Sequence, residues 1–539
     1  MSAAERAGAP AAPPSLAEVP AEAWLEANLA ALDLPWATRR EVARAVPRGR
    51  VVVSADGTPV LEVDGQVLGA ALDEDLLHAI VEQSRTDAAY VVFGLGTGHV
   101  ARALRAATDR PVLVYEPDAG LLRTVLSAGP TDLGEIPLLT SLQDLTATWV
   151  RVGTRHLEGV IVKTPGYEAL FPEQLLALPQ AVHDTFERIG ITHNTFHLRA
   201  RTWVEDIMAN LPELPGRVPF TALAGRFRAV PAFIVGAGPS LDRNVELLGE
   251  ARRRGLVFAV NSSARALARK GLEPHVLACI ESIDSSTLLA ELPYIDRVVR
   301  AVTLSAAPGN FRAGAGLLLP IHESLPQLDA PLEALLGSRG VAVCGSVSTA
   351  AFSLALTLGC SPIVFVGQDL AYTSGRTHAG GTWWETSRAK VDEANGKVHF
   401  EWSESLRRIG HRHVAEPLQE VPAWGGTGTV PSGASFTGIR TWLEGASALI
   451  AATSPGTRLI NATEGGARLG GFEEMRLGDL LAELPLLDLE TAELSRRAEG
   501  LPPLDAGRVA AWASDQADRA TAVAHAARRL RRHAAHAVK

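Results

Sequence analysis

Short apolar runs closed by glycine or by polar clusters dominate the pattern of this chain, and they fall into two series. In the first, residues 21–45 carry a helical pattern. Residues 51–53, 59–63 and 66–68 then alternate with Asp56-Gly57 and Asp64-Gly65, which predicts a small hairpin or meander. Residues 90–93 form a buried-strand run leading into Gly94-Leu-Gly-Thr-Gly98 and a helix through Leu104. A strand at 112–115 ends at Glu116-Pro-Asp118, and residues 160–162 with Pro165-Gly166 close the series. A long helix is expected over 183–211. Its His183, His193 and His197 lack the carboxylate of a metalloprotease pattern and read as surface or packing residues. Residues 219–229 make a linker.

The second series alternates strand and helix from Phe233 to about Leu370. Strands are expected at 233–235, 257–260, 275–280, 298–304, 316–319, 341–343 and 363–366. Five of these lead into polar or glycine-rich segments: 236–240, 261–263, 281–284, 345–348 and 367–372. Parallel α/β sheets gather ligands beyond the carboxyl ends of their strands, so these ends are the candidate site. Past Gly375 the period is lost. Thr377-His378-Ala379, Trp383-Trp384, His411, His413 and residues 425–433 suggest a long irregular excursion of the lid kind. Helix resumes over 436–450, a last strand is expected at 458–463, and the chain from Met475 onward reads as helix.

The fold class expected is a multidomain α/β protein. It comprises a Rossmann-like N-terminal domain (1–215, with the meander and connecting helix), a Rossmann-like central domain (225–475) and a helical C-terminal region (476–539). Residues 1–20 read as a flexible leader. With 51 basic and 60 acidic residues the net charge is −9, so no basic field recommends nucleic acid as a partner. Cys279, Cys344 and Cys360 sit in apolar surroundings, against a disulfide framework and in keeping with a reducing compartment. No signal peptide is evident, and no apolar run approaches the ~20 residues of a membrane helix. A cytoplasmic protein with no membrane partner is expected.

Two glycine-rich turns carry candidate chemistry. In Gly236-Ala-Gly-Pro-Ser240 the glycines would let a phosphate approach backbone N–H groups at a helix start, with Ser240 as cap or ligand; the alternative is a plain strand–helix turn. Gly94–Gly98, with Glu116 following, fits a Rossmann-type fingerprint and looks most like the first motif of S-adenosylmethionine methyltransferases. Nothing after Glu116 supplies a methyl-acceptor motif, which favours a scaffold without ligand.

Three longer motifs then resemble one family. Gly236-Ala-Gly-Pro-Ser-Leu241, Gly359-Cys-Ser-Pro-Ile-Val-Phe-Val-Gly-Gln-Asp-Leu-Ala-Tyr372 with Thr377-His-Ala379, and Ile460-Asn-Ala-Thr-Glu-Gly-Gly-Ala467 resemble the motility-associated factors (Maf), bacterial flagellin glycosyltransferases. The resemblance runs over most of the chain. It implies transfer of a pseudaminic- or legionaminic-type nonulosonic acid from its CMP conjugate to Ser or Thr of flagellin. It also implies a central domain similar to bacterial sialyltransferases and archaeal 6-hydroxymethylpterin pyrophosphokinases. The central domain has no Asp-x-Asp, the only one being Asp73-Glu-Asp75. A CMP donor carries one phosphate, so no cofactor is required and a divalent metal is optional.

On this reading Gly236, Gly238, Pro239 and Ser240 hold the phosphate, and Asn261 and Ser262 meet cytidine, ribose or phosphate. Glu281 and Asp284 take ribose hydroxyls or serve as base. Gln368, Asp369 and Tyr372 contact the sugar, with Asp369 an alternative base. His378 is the first candidate for general base, because imidazole suits proton transfer near neutral pH. Glu464 is a further sugar or acceptor contact. The rivals are a pyrophosphokinase-like enzyme, methyl transfer through Gly94–Gly98, and a flagellin-binding protein without catalysis.

Overall fold

The computed structural model describes residues 20–54, 57–69, 74–145, 148–149, 158–325, 328–408, 415–490 and 492–537. His411, His413, Asp73 and the leader lie outside them, as do the side chains of His193 and His197. The chain divides into two compact units, Met1–Leu198 and Arg199–Lys539. This boundary falls within the helix Pro172–Asn210.

In the first unit two helices, Ala21–Ala31 and Trp36–Arg44, precede the expected meander of β1 (Arg50–Val53), β2 (Pro59–Val63) and β3 (Gln66–Leu68), paired antiparallel. A parallel sheet follows, made of β4 (Ala88–Phe93), β5 (Val112–Tyr115), β6 (Leu138–Leu139) and β7 (Glu158–Lys163) in the order β6-β5-β4-β7. Every residue of β4 is buried, because both faces are covered; this is why it reads as a continuous apolar run.

The second unit is built on a parallel sheet that has eight strands among the described residues. They are β8 (Ala232–Val235), β9 (Leu256–Val260), β10 (Val276–Cys279), β11 (Val299–Thr303), β12 (Leu318–Ile321), β13 (Ile363–Val366), β18 (Leu459–Asn461) and β19 (Glu473–Glu474). Their order is β12-β11-β10-β9-β8-β13-β18-β19. From β8 the chain winds outward to β12, then returns to lay β13 on the other side of β8. The reversal opens a crevice at the carboxyl ends of β8 and β13, which is where such sheets bind ligands.

Alternate residues of β8 and β13 feed two cores. Ile234, Phe258 and Phe365 pack with the helix Val347–Leu358, where Phe352 stacks on Phe365 at 5.7 Å. Phe233, Val235, Val257 and Val366 pack on the opposite face with Leu241, Leu248 and Leu477. The helices Leu477–Glu483 and Glu493–Ala498 put Leu477, Leu480 and Leu494 into these cores, so residues read as the start of a separate C-terminal region complete the central packing.

Two expectations are corrected. Residues 341–343 form no strand, only an isolated bridge between Val341 and Glu323; Cys344 to Ser346 lead straight into the helix Val347–Leu358. The excursion past Gly375 is not irregular throughout. It holds an antiparallel sheet of β14 (Arg388–Asp392), β15 (Lys397–Glu401), β16 (Ala415–Pro422) and β17 (Thr429–Gly433), followed by the helix Ala434–Thr453. The strand signal is the alternation in β15, where Val398 and Phe400 are buried and Lys397, His399 and Glu401 exposed.

Candidate functional site

A cavity of about 460 Å³ opens at the crevice between β8 and β13, within the ~300–1,000 Å³ common for small-molecule sites. Of the residues singled out in the sequence, Gly236, Gly238, Pro239, Asn261, Ser262, Glu281, Gln368, Asp369, Tyr372 and His378 line it. Ser240, Asp284 and Glu464 do not. The exposed Asp284 carboxylate accepts the Ser286 N–H at 2.9 Å and lies against Gly309, so it shapes a turn. Glu464 accepts the Leu477 N–H at 2.8 Å and fastens the helix Leu477–Glu483.

The glycine-rich turn after β8 is occupied by its own protein. Gly236 and Gly238 donate their N–H groups to the carbonyls of Val366 and Gly367, both at 2.8 Å. Ser240 donates its N–H at 3.1 Å and its Oγ–H at 2.5 Å to the Asp369 carboxylate. These amides therefore do not converge on a phosphate, as the sequence suggested. A Cβ on Gly238 would lie 2.1 Å from Asp369 Oδ2, so glycine is required there by this carboxylate.

Asp369 is the point at which all three long motifs meet. Besides Ser240, its carbonyl accepts the Ala467 N–H at 2.7 Å, and a Cβ on Gly466 would lie 2.2 Å from that carbonyl oxygen. Thr463 Oγ1 accepts the Gln368 N–H at 3.2 Å. Burial pushes the Asp369 carboxyl up to about 6, against the opposing Ser240 hydrogen bonds and the Arg243 charge.

Around this centre the remaining walls are braced individually. Asn310 holds the loop after β10, donating from Nδ2 to the carbonyls of Glu281 (3.0 Å) and Ile283 (2.8 Å) while its Oδ1 accepts the Ser285 N–H (2.8 Å). Burial raises the Glu281 carboxyl, offset by Arg199. The Thr377–Ala379 segment is fixed by Ala379 N–H to the Ala237 carbonyl (2.9 Å), and Asp242 accepts from Arg376 (2.7 Å) and from the Gly380 N–H (2.8 Å). His378 Nδ1 lies 2.9 Å from Thr377 Oγ1, and its ring centroid is 5.1 Å from that of Trp384. Gly345, Ser346 and Ser348 line the cavity at the start of the helix Val347–Leu358, where the Ser346 side chain caps the Ser348 N–H.

The far wall was not singled out in the sequence. β15, β16 and the helix Ala434–Thr453 contribute Phe400, Glu416, Ser435 and Phe436, joined by Trp402. The β15 alternation could have located Phe400; a lone Glu416 in an exposed-looking strand gives no signal. Among the described residues no group of three or more His, Cys, Asp and Glu side chains is placed to hold a metal. Of the cavity carboxylates, Asp369 is engaged by Ser240, and Glu416 by Tyr372 and Ser435.

In the first unit the Gly94–Gly98 turn is filled by Tyr167. Its hydroxyl accepts the Gly96 N–H at 2.9 Å and donates to Glu116 at 2.7 Å, while Glu116 also accepts the Leu95 N–H at 2.9 Å. The carboxylate that would take a ribose hydroxyl thus binds a tyrosine of its own domain, and burial raises it to about 7. A Cβ on Gly94, at φ +85°, would lie 2.3 Å from the Tyr167 ring. Gly94→Ala is therefore expected to destabilise this unit by about 3 kcal/mol or more, from strain and overpacking together. Calorimetry with an unchanged first transition would show that Tyr167 moves aside freely.

Comparison with known proteins bears on the second unit. The family model "MptE-like: 6-hydroxymethylpterin diphosphokinase MptE-like" matches residues 205–375. This segment of the chain is similar to that family. That accords with the central domain implied by the resemblance to motility-associated factors. A solved structure, "Structure of MAf glycosyltransferase from Magnetospirillum magneticum AMB-1", is similar at 14% identity and a TM-score of 0.48, over 92% of this chain and 78% of that one. None of the curated proteins matches. The matched residues end before His378 and the antiparallel sheet, so the far wall of the cavity lies outside them. Among the described residues no helix is long and apolar enough to cross a membrane.

Proposed function

We propose that this protein is an O-glycosyltransferase that moves a pseudaminic- or legionaminic-type nonulosonic acid from its CMP conjugate to Ser or Thr hydroxyls of flagellin. The observation that carries the reading is the convergence of the three Maf-like motifs on Asp369, beneath one cavity at the switch point of a parallel sheet. As CMP departs, the sugar passes through an oxocarbenium-like state and negative charge grows on the phosphate. With the Gly236, Gly238 and Ser240 amides engaged, the phosphate is assigned to the start of the helix Val347–Leu358, where Gly345 leaves room and Ser346 and Ser348 offer hydroxyls at the positive end of the helix dipole. Asn261, Ser262 and Glu281 also line the cavity and are assigned to the nucleoside, and His378 to the acceptor proton. A divalent metal is optional in this mechanism, so EDTA is expected to leave the rate unchanged; a rate restored only by Mg²⁺ would contradict it.

The deciding experiment incubates the full chain with a panel of CMP-nonulosonates and flagellin and reads intact mass. One sugar increment on flagellin, with stoichiometric CMP, supports the proposal. A second reading follows from the MptE-like match: pyrophosphoryl transfer from ATP to a pterin alcohol. Release of AMP from Mg-ATP with 6-hydroxymethylpterin, and no transfer from any CMP-sugar, would replace the first reading by the second.

A further inference from the structure

Glu416 is a buried carboxylate, 6% exposed, on the cavity wall, and among the described residues it makes no ion pair. Such a group is costly unless hydrogen bonds hold it. Tyr372 donates its hydroxyl to Oε1, and Ser435 donates its N–H (3.2 Å) and Oγ–H (2.8 Å) to Oε2. A side chain at Gly433 would strike it, a Cβ lying 1.9 Å from Oε1. Three donors leave part of the carboxylate's accepting capacity unused. Beside it stand aromatic rings: Phe436 at 4.9 Å and Phe400 at 5.3 Å from Tyr372, with Trp402 stacked on Phe400 at 4.9 Å.

We propose that Glu416 and this aromatic wall form the subsite for the transferred sugar, with the carboxylate accepting a hydrogen bond from a hydroxyl or amide N–H of the sugar. The inference rests on the reading of the cavity as a CMP-sugar site and adds to it which wall takes the sugar. A rigid carboxylate next to aromatic faces matches a polyhydroxylated ring, whose C–H face packs on the rings while its O–H groups donate to the oxygen. The fixed negative charge also sets orientation. A nonulosonate bears its own carboxylate beside the anomeric carbon, and repulsion by Glu416 directs that end away, towards the phosphate site. Glu416 is a specificity-determining residue on this account.

Calorimetric titration of full-length Glu416→Gln with CMP and with CMP-nonulosonate tests it. The variant keeps an acceptor for Tyr372 and is expected to bind CMP as the wild type does. Its affinity for the CMP-sugar should fall about ten- to a hundredfold, the usual worth of a hydrogen bond to a charged group. Ser435→Ala, which removes one donor from Oε2, should show a smaller loss of the same selective kind and stands in if Glu416→Gln does not fold. Equal losses for both ligands would make Glu416 structural and overturn the proposal, as would an unchanged CMP-sugar affinity. A wild type that binds neither ligand would instead overturn the CMP-sugar reading, and the subsite with it.

Discussion

Asp369→Ala is expected to abolish transfer and to lower the melting temperature of the second unit. The alanine would strand the Ser240 N–H and Oγ–H, both buried, at a cost of about 1–3 kcal/mol each. It would also release the β8 turn from the strand end that carries Gln368 and Tyr372, and misplacement by ~1 Å can cost about a hundredfold in rate. Asp369→Asn separates brace from charge. Burial holds the folded-state carboxyl at about 6, above its ordinary value near ~3.9, so the native state binds the proton more tightly than the unfolded state. Below pH ~4 both states are protonated and the shift has no effect on stability; between pH ~4 and ~6 the wild type loses stability as pH rises, by on the order of 3 kcal/mol, and the loss is complete above ~6. Asn cannot ionise and escapes this loss. Its melting temperature relative to wild type should therefore climb between pH ~4 and ~6 and level off above. A difference independent of pH would mean that Asp369 titrates as an exposed carboxylate does.

The central strands were legible because parallel strands buried on both faces read as unbroken apolar runs bounded by glycine, as in β8 and β13. The crevice was not legible, because strand order is absent from local pattern; only the sheet shows that the segments after β8 and β13 are neighbours. The partnership of Ser240 with Asp369 spans 129 residues, so the turn's glycines read as space for a phosphate when they are space for a carboxylate. The same misreading is possible at Gly94–Gly98, where Tyr167 lies 71 residues beyond the Gly96 amide it accepts from. At both turns glycine makes room for a group of the chain itself, the Asp369 carboxylate in one and the Tyr167 ring in the other. Who supplies the group depends on long-range contacts. Glu416 shows the opposite case, a residue without any local motif that only the pairing of β16 with β17 and the closeness of Ser435 bring to the cavity.

His378→Ala is expected to lower turnover by about 10²–10⁴-fold, the usual contribution of general acid–base catalysis, while CMP binding survives. The histidine sits in a loop without apolar period, yet that loop is held on both sides: by Ala379 on the Ala237 carbonyl and by Arg376 and Gly380 on Asp242. Its ring lines the cavity beside Trp384. Those fastenings use backbone groups and neighbouring side chains, so truncating the imidazole leaves them in place and removes only the group proposed to accept the proton. Two rivals for the proton are within the same cavity. Asp369 is engaged by Ser240, and Glu281 lies on the side assigned to the nucleoside. Steady-state kinetics on flagellin together with calorimetry on CMP separate the cases. A loss of turnover with unchanged CMP affinity supports His378 as base. A loss of only a few-fold would transfer that role to Asp369, Glu281 or the substrate, and a parallel loss of CMP affinity would make His378 a structural member of the wall.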